Sequence, residues 1–126
     1  VATGLRVLIV EDNVDAARSL ALLIDRAGCE VHVAHTGLDA LRIAADIKPS
    51  LVLLDLGLPD LSGYDVAREL RAALSLQAAR IVAISGWAQD GDRARSEQAG
   101  IDAHLAKPVD PKKVLELVAA CIESPG

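Results

Sequence analysis

Phenylalanine and methionine are absent from this sequence, and its only aromatic residues are Tyr64 and Trp87. Val, Leu, Ile and Ala must therefore build any core. Cysteine is scarce: Cys29 and Cys121 stand far apart and without the spacing of a metal site. Two buried or half-buried thiols are expected, in a reducing cytoplasm. No apolar run approaches the roughly 18–20 residues of a membrane span. No basic segment followed by an apolar stretch opens the chain, so no signal peptide is expected. Basic residues are in deficit, 13 Lys and Arg against 18 Asp and Glu. The net charge of −5 disfavours contact with nucleic acid or an anionic membrane. Methionine is missing even at position 1, so a piece of a longer protein, or one lacking its first residues, is expected.

What is present suffices for one core. The chain has 126 residues, 52% hydrophobic and 25% charged, which fits a single domain over 1–126. Apolar strand-like runs alternate with helical patterns, a βα repeat. The strands are expected at Arg6–Val10, Glu30–Ala34, Leu51–Leu54, Arg80–Ile84 and about Asp102–Ala106. The run Leu51–Leu54 is apolar throughout, as a strand covered on both faces must be.

The helices are expected at about Val14–Ala27, Leu38–Ile47, Tyr64–Leu74, Gly91–Ala99 and from Pro111 onward. Asn13, Thr36 and Asp110 suit helix starts, and Gly28 and Gly100 suit helix ends. The fourth helix offers only Ala94 and Ala99 as apolar anchors, so it should be the least firmly packed. The fifth carries a stripe of Val114, Leu115, Val118, Ala119 and Ile122.

Four of these strands end in polar residues that strand interiors do not tolerate: Glu11 and Asp12, Asp55, Ser85, and Lys107 followed by Pro108. In a parallel sheet these ends share one edge, where open α/β sheets bind ligands. Three carboxylates there carry more negative charge than Lys107 can balance, and like charges so placed raise one another's pKa values. A hard divalent cation with oxygen ligands answers this, and Mg²⁺ suits a partly hydrated carboxylate site better than calcium. Between such a cation and Lys107, Asp55 would face two positive centres. That setting suits a phosphoryl group held by the metal, Lys107, the Ser85 hydroxyl and loop N–H groups.

The segments Val7-Leu-Ile-Val-Glu-Asp-Asn13, Leu53-Leu-Asp-Leu-Gly-Leu-Pro-Asp-Leu-Ser-Gly63, Ile84-Ser-Gly86 and Ala106-Lys-Pro108 occur in order and at suitable spacing. Through them the chain resembles the receiver domain of two-component response regulators over essentially its whole length. The resemblance implies a flavodoxin-like α/β fold: a doubly wound, five-stranded parallel sheet of order 2-1-3-4-5 with five helices. It implies that a histidine kinase or phosphotransfer protein phosphorylates Asp55. It implies Mg²⁺ bound by Asp12, Asp55 and the Gly57 carbonyl, with Glu11 acting through water, and phosphoryl oxygens held by Ser85 and Lys107. The Lys107–Pro108 bond is expected to be cis, as in the family.

The chain departs from the family pattern at His104, where a Tyr or Phe is usual. A switch joining Ser85 to His104 across helix 4, strand 5 and helix 5 would therefore carry an imidazole, a group that can gain charge near neutral pH. Gly86-Trp87 resembles receivers attached to hybrid histidine kinases. Other readings find less support. A phosphatase using an aspartyl phosphate needs a second Asp at the position of Gly57. A flavin-mononucleotide protein needs a phosphate-cradling loop where Glu11-Asp12-Asn13-Val14-Asp15 stands. A pseudo-receiver that only binds partners is the alternative function.

Overall fold

In the computed structural model, which describes residues 4–73, 78–86 and 90–123, strands and helices alternate along the chain. The strands are β1 (Arg6–Val10), β2 (Glu30–Ala34), β3 (Leu51–Asp55), β4 (Arg80–Ser85) and β5 (Ala103–Ala106). The helices are α1 (Val14–Arg26), α2 (Gly37–Ile47), α3 (Gly63–Ala72), α4 (Asp90–Ala99) and α5 (Pro111–Glu123). All pairings are parallel, in the order β2-β1-β3-β4-β5. The architecture is the expected one.

Side chains of a strand alternate between the two faces of a sheet. Leu8, Val10, Val52 and Leu54 pack with residues of α2, α3 and α4, whereas Val7, Ile9, Leu51 and Leu53 pack with α1 and α5. Every residue of β3 is buried, which explains its unbroken apolar run. Each fully buried Leu, Ile or Val contributes about 1.5–3 kcal/mol through removal from water.

The helix boundaries follow local chemistry. Asn13 Oδ1 accepts the Ala16 N–H at 3.0 Å, Thr36 Oγ1 the Asp39 N–H at 3.1 Å and Asp110 Oδ1 the Lys112 N–H at 2.9 Å. These bonds satisfy donors that a helix start leaves without an internal partner. Gly28 and Gly100 take positive φ, 92° and 83°, just past α1 and α4, a conformation that costs glycine little.

Two helices face differently from expectation. In α4, Ala94 is exposed and Ser96 is buried beside Ala99. The inward row of this polar helix therefore includes a hydroxyl, and the Ser96 Oγ has no hydrogen-bond partner among the described residues. In α5, Val114, Val118 and Cys121 point inward, whereas Leu115 and Ala119 are exposed. The inward residues share one buried cluster with Val82, Ile84 and Leu105 on the second face of the sheet. Cys29 and Cys121 are both buried, as expected of inert thiols. Leu74 and Trp87 lie outside the described residues, as does the side chain of Ile122.

At the amino edge of the sheet, Arg71 of α3 ties three segments together. Its Nη1 donates to the Ala79 carbonyl at 2.6 Å, and its Nη2 donates to the Gly100 carbonyl and to Asp102 Oδ2, both at 2.8 Å. Asp102 Oδ2 also accepts the Ile81 N–H at 2.8 Å. The opposite edge is thus left to the polar strand ends.

Candidate metal and phosphate site

β1, β3 and β4 end side by side because Val10 is registered with Leu54 and Asp55 with Ile84. β5 adds the next end, Ala106 opposite Ser85. The loops leaving these strands line a cleft of ≈ 530 Å³ whose walls include Glu11, Asp12, Asp55, Gly57, Ser85 and Lys107. All the expected ligand and phosphate-binding residues are therefore neighbours. His104 is not. It is exposed on the edge strand β5, in register with Ala83. Ser85 follows Ala83 by one pleat, so Ser85 and His104 share the sheet face covered by α3 and α4.

Ligand oxygens of Glu11, Asp12 and Asp55 lie within 4.8 Å of one another. Glu11 and Asp55 are buried and Asp12 is exposed. Lys107 Nζ sits 2.9 Å from Asp55 Oδ2 and 3.4 Å from Glu11 Oε1. The other Asp55 oxygen, Oδ1, accepts the Gly57 N–H at 2.8 Å. Asn13 N–H reaches Glu11 Oε2 at 3.4 Å. The peptide bond from Lys107 to Pro108 is cis.

The three charged groups respond differently to this crowding. Burial, a hydrogen bond with Asp55 and the Asp55 charge push Glu11 up to about 7, against the pull of Lys107. Burial also pushes Asp55 upward, but hydrogen bonds from Glu11, Gly57 and Lys107 outweigh it and hold Asp55 below the usual carboxylate range. Burial favours the neutral form of Lys107, yet its bond to Asp55 and the two nearby carboxylates raise its pKa overall. Mutual elevation of the carboxylates was the expectation. Of the two buried carboxyls only Glu11 is raised, because the ammonium at 2.9 Å and the Gly57 amide are both bonded to Asp55.

The donor set is oxygen throughout and carries more negative charge than one ammonium balances, which fits Mg²⁺.

Two contacts at the site were not legible in the chain. His35 Nδ1 donates to the Glu11 carbonyl at 2.9 Å. Asp60, in the loop between β3 and α3, accepts the N–H groups of Gly37 and Leu38 at 2.8 and 3.1 Å. His35 follows β2 directly, and β2 is the neighbour of β1, a placement that only the strand order reveals. Asp60 falls within the Leu53–Gly63 segment, but its partners lie across the sheet face.

The chain matches the model of the response regulator receiver domain over residues 7–119. It is 33% identical to the polar-differentiation response regulator DivK of Brucella anthropi over 112 residues, 89% of this chain and 91% of that protein. A response regulator receiver domain protein (CheY-like) from Methanospirillum hungatei superposes with a TM-score of 0.88 at 27% identity, covering 95% of this chain and 94% of the other. The receiver domain of a sensor histidine kinase from Pseudomonas aeruginosa superposes with a TM-score of 0.86 at 31% identity, covering 96% and 99%. That crystal structure holds a magnesium ion coordinated in its active-site cleft. No helix among the described residues is long and apolar enough to cross a membrane. Fold, cleft and sequence agree, and this chain belongs to the response regulator receiver domains, the signalling modules of two-component systems.

Proposed function

We propose that this domain receives a phosphoryl group on Asp55, in a Mg²⁺-dependent reaction, from a phosphohistidine of a histidine kinase or phosphotransfer protein. The observation that carries this reading is the state of Asp55. Its carboxylate is buried and held in the ionised form by hydrogen bonds from Glu11, the Gly57 amide and Lys107, the last at 2.9 Å, inside a cluster of oxygen ligands at the cleft. An ionised carboxylate is the nucleophilic form.

Glu11, Asp12, Asp55 and the Gly57 carbonyl would hold the Mg²⁺. When bound, it supplies positive charge to phosphoryl oxygens and offsets the excess of carboxylates. The chain's own residues do the rest. An Asp55 oxygen bonds to phosphorus as the bond from phosphorus to the donor imidazole nitrogen breaks, and the electron pair stays with that nitrogen. Lys107 follows the charge from the carboxylate to the new phosphoryl oxygens, and the Ser85 hydroxyl donates to another. The domain catalyses only its own phosphorylation and slow self-dephosphorylation.

Ser85 then moves toward the new oxygens, and the surface of α4, β5 and α5, with His104 on it, changes for the output partner. The shared sheet face of Ser85 and His104 supports this coupling. We assign residues 1–126 to a single cytoplasmic receiver domain that contacts neither nucleic acid nor membrane itself.

The test is intact-mass analysis after incubation with a small phosphodonor and Mg²⁺. One phosphoryl group is expected on the native protein and none on Asp55→Asn. Equal labelling of both would favour another acceptor, and labelling of neither would favour a pseudo-receiver.

A further inference from the structure

The proposed Mg²⁺ ligands sit on two separate segments, Glu11 and Asp12 just after β1, and Asp55 at the end of β3 with Gly57 in the loop that follows. One short segment, His35–Leu38, touches both. On the β1 side, the His35 Nδ1–H donates to the Glu11 carbonyl at 2.9 Å. The Glu11 N–H donates to the Ala34 carbonyl, also at 2.9 Å. The end of β2 therefore grips both backbone groups of Glu11. On the β3 side, Asp60 Oδ1 accepts the Gly37 N–H at 2.8 Å and Asp60 Oδ2 the Leu38 N–H at 3.1 Å. These are the first donors of α2, where the backbone favours a carboxylate. Packing reinforces the join. A Cβ on Gly37 would fall 2.9 Å from Leu61 Cβ and 2.9 Å from Val66 Cγ2, so only a glycine allows so close a seat. The amides, with Gly37 foremost, also hold Asp60 below the ordinary carboxylate range.

Thr36 satisfies only the Asp39 N–H, so the Gly37 and Leu38 donors at the start of α2 are met from outside the helix, by a side chain of the loop that follows β3. We infer that His35 and Asp60 are positioning residues for the cation site: they make the first turn of α2 a brace that sets the distance between the two ligand-bearing loops. Neither residue touches the cation. The inference rests on the Mg²⁺-dependent function proposed above.

The experiment measures Mg²⁺ affinity by titration calorimetry for the native protein, Asp60→Ala, Asp60→Asn, His35→Ala and Thr36→Ala. Loss of residues that orient metal ligands typically weakens binding by 10–100-fold, and about tenfold weaker binding is expected for Asp60→Ala. His35→Ala should weaken it in the same direction. Asp60→Asn keeps one acceptor and should fall between, and it carries the test if the alanine variant does not fold. Thr36→Ala removes the helix's own cap without releasing either loop, so its affinity should stay within about twofold of native. A further readout separates positioning from stability. In metal-free Asp60→Ala the amides from Leu56 to Leu61 should exchange faster than native, whereas those of β4 and β5 should not.

Native affinity in both Asp60 variants would overturn the brace, as would equal weakening by Asp60→Ala and Thr36→Ala. If the native protein takes up phosphoryl groups while either result holds, the brace alone fails. If the native protein binds no Mg²⁺ at all, the proposed function fails and the brace falls with it.

Discussion

Replacing Arg71 with alanine should cost the domain much of its stability while leaving its phosphorylation chemistry intact. The guanidinium donates to the carbonyls of Ala79 and Gly100 and to the Asp102 carboxylate, all at 2.6–2.8 Å. Its stem also packs on the bare Cα of Gly100, where a Cβ would lie 2.9 Å from Arg71 Cγ. Hydrogen bonds from a charged group contribute about 1.5–3 kcal/mol each, but they are not additive. The ion pair is half in solvent, with the Asp102 side chain 49% exposed, and adds less than about 1 kcal/mol. The loss in Arg71→Ala is therefore about 2–4 kcal/mol, dominated by the two carbonyls. For a chain of this size that lowers Tm by about 6–20 °C, taking about 3–5 °C per kcal/mol. Asp102→Asn retains an acceptor for the Ile81 N–H and loses only the ion pair, so its cost should stay below about 1 kcal/mol. Urea unfolding of both variants gives the comparison. Because the clamp lies at the amino edge of the sheet, the folded fraction of Arg71→Ala should label with phosphodonor at the native rate. A stability within about 0.5 kcal/mol of native would refute the reasoning, as would a cost no larger than that of Asp102→Asn.

Two further outcomes test the site. In Gly63→Ala the new Cβ would stand 2.6 Å from the Leu56 backbone and 3.0 Å from the Asp55 carbonyl, so the loop must shift. Overpacking of this kind costs about 1–3 kcal/mol, and a fall in both urea midpoint and Asp55 labelling is expected, whereas unchanged labelling would separate the loop from the reaction. In metal-free buffer, stability should fall as pH rises from about 4.5 to about 7. Glu11 titrates higher folded than unfolded, so its protonated form favours folding, and that contribution is lost as pH passes about 7. Asp55 acts oppositely, losing its contribution only as pH drops below the ordinary carboxylate range. The change on the Glu11 side should be on the order of 1–2 kcal/mol once water at the cleft is allowed for. Thermal melts across this range with a chelator present, in the native protein and in Glu11→Gln, provide the check. A native slope equal to that of Glu11→Gln would remove Glu11 as its source.

Most of the architecture could be read from local chemistry. An apolar run long enough to be covered on both faces must be a central strand, and Leu51–Leu54 is one. Asn13, Thr36, Asp110, Gly28 and Gly100 mark helix boundaries because each settles backbone groups within a few residues of itself. The polar ends of β1, β3, β4 and β5 pointed to the cleft because parallel strands must end on one side. Side-chain facing was harder. A helical stripe such as Val114, Leu115, Val118 and Ala119 is symmetric about its middle. Which half meets the sheet depends on where α5 crosses it, and Leu115 and Ala119 turned out exposed.

Tertiary structure alone decided the contacts between segments distant in sequence. Ser96 points inward on α4 beside Ala99, whereas Ala94, an apolar anchor by residue type, is exposed. Unequal pKa behaviour within the carboxylate cluster arises because one ammonium and one amide can reach Asp55 and leave Glu11 the poorer partner. His35, Asp60 and Arg71 carry no local signal, since their partners, main-chain groups and for Arg71 also the Asp102 carboxylate, are brought near only by strand order and helix placement. The chain by itself determined the elements, their boundaries and the chemical types at the cleft, for these depend on neighbours along the backbone. The distances among those groups, and so their charges and the bracing of their loops, depend on through-space energies that exist only once the chain has folded.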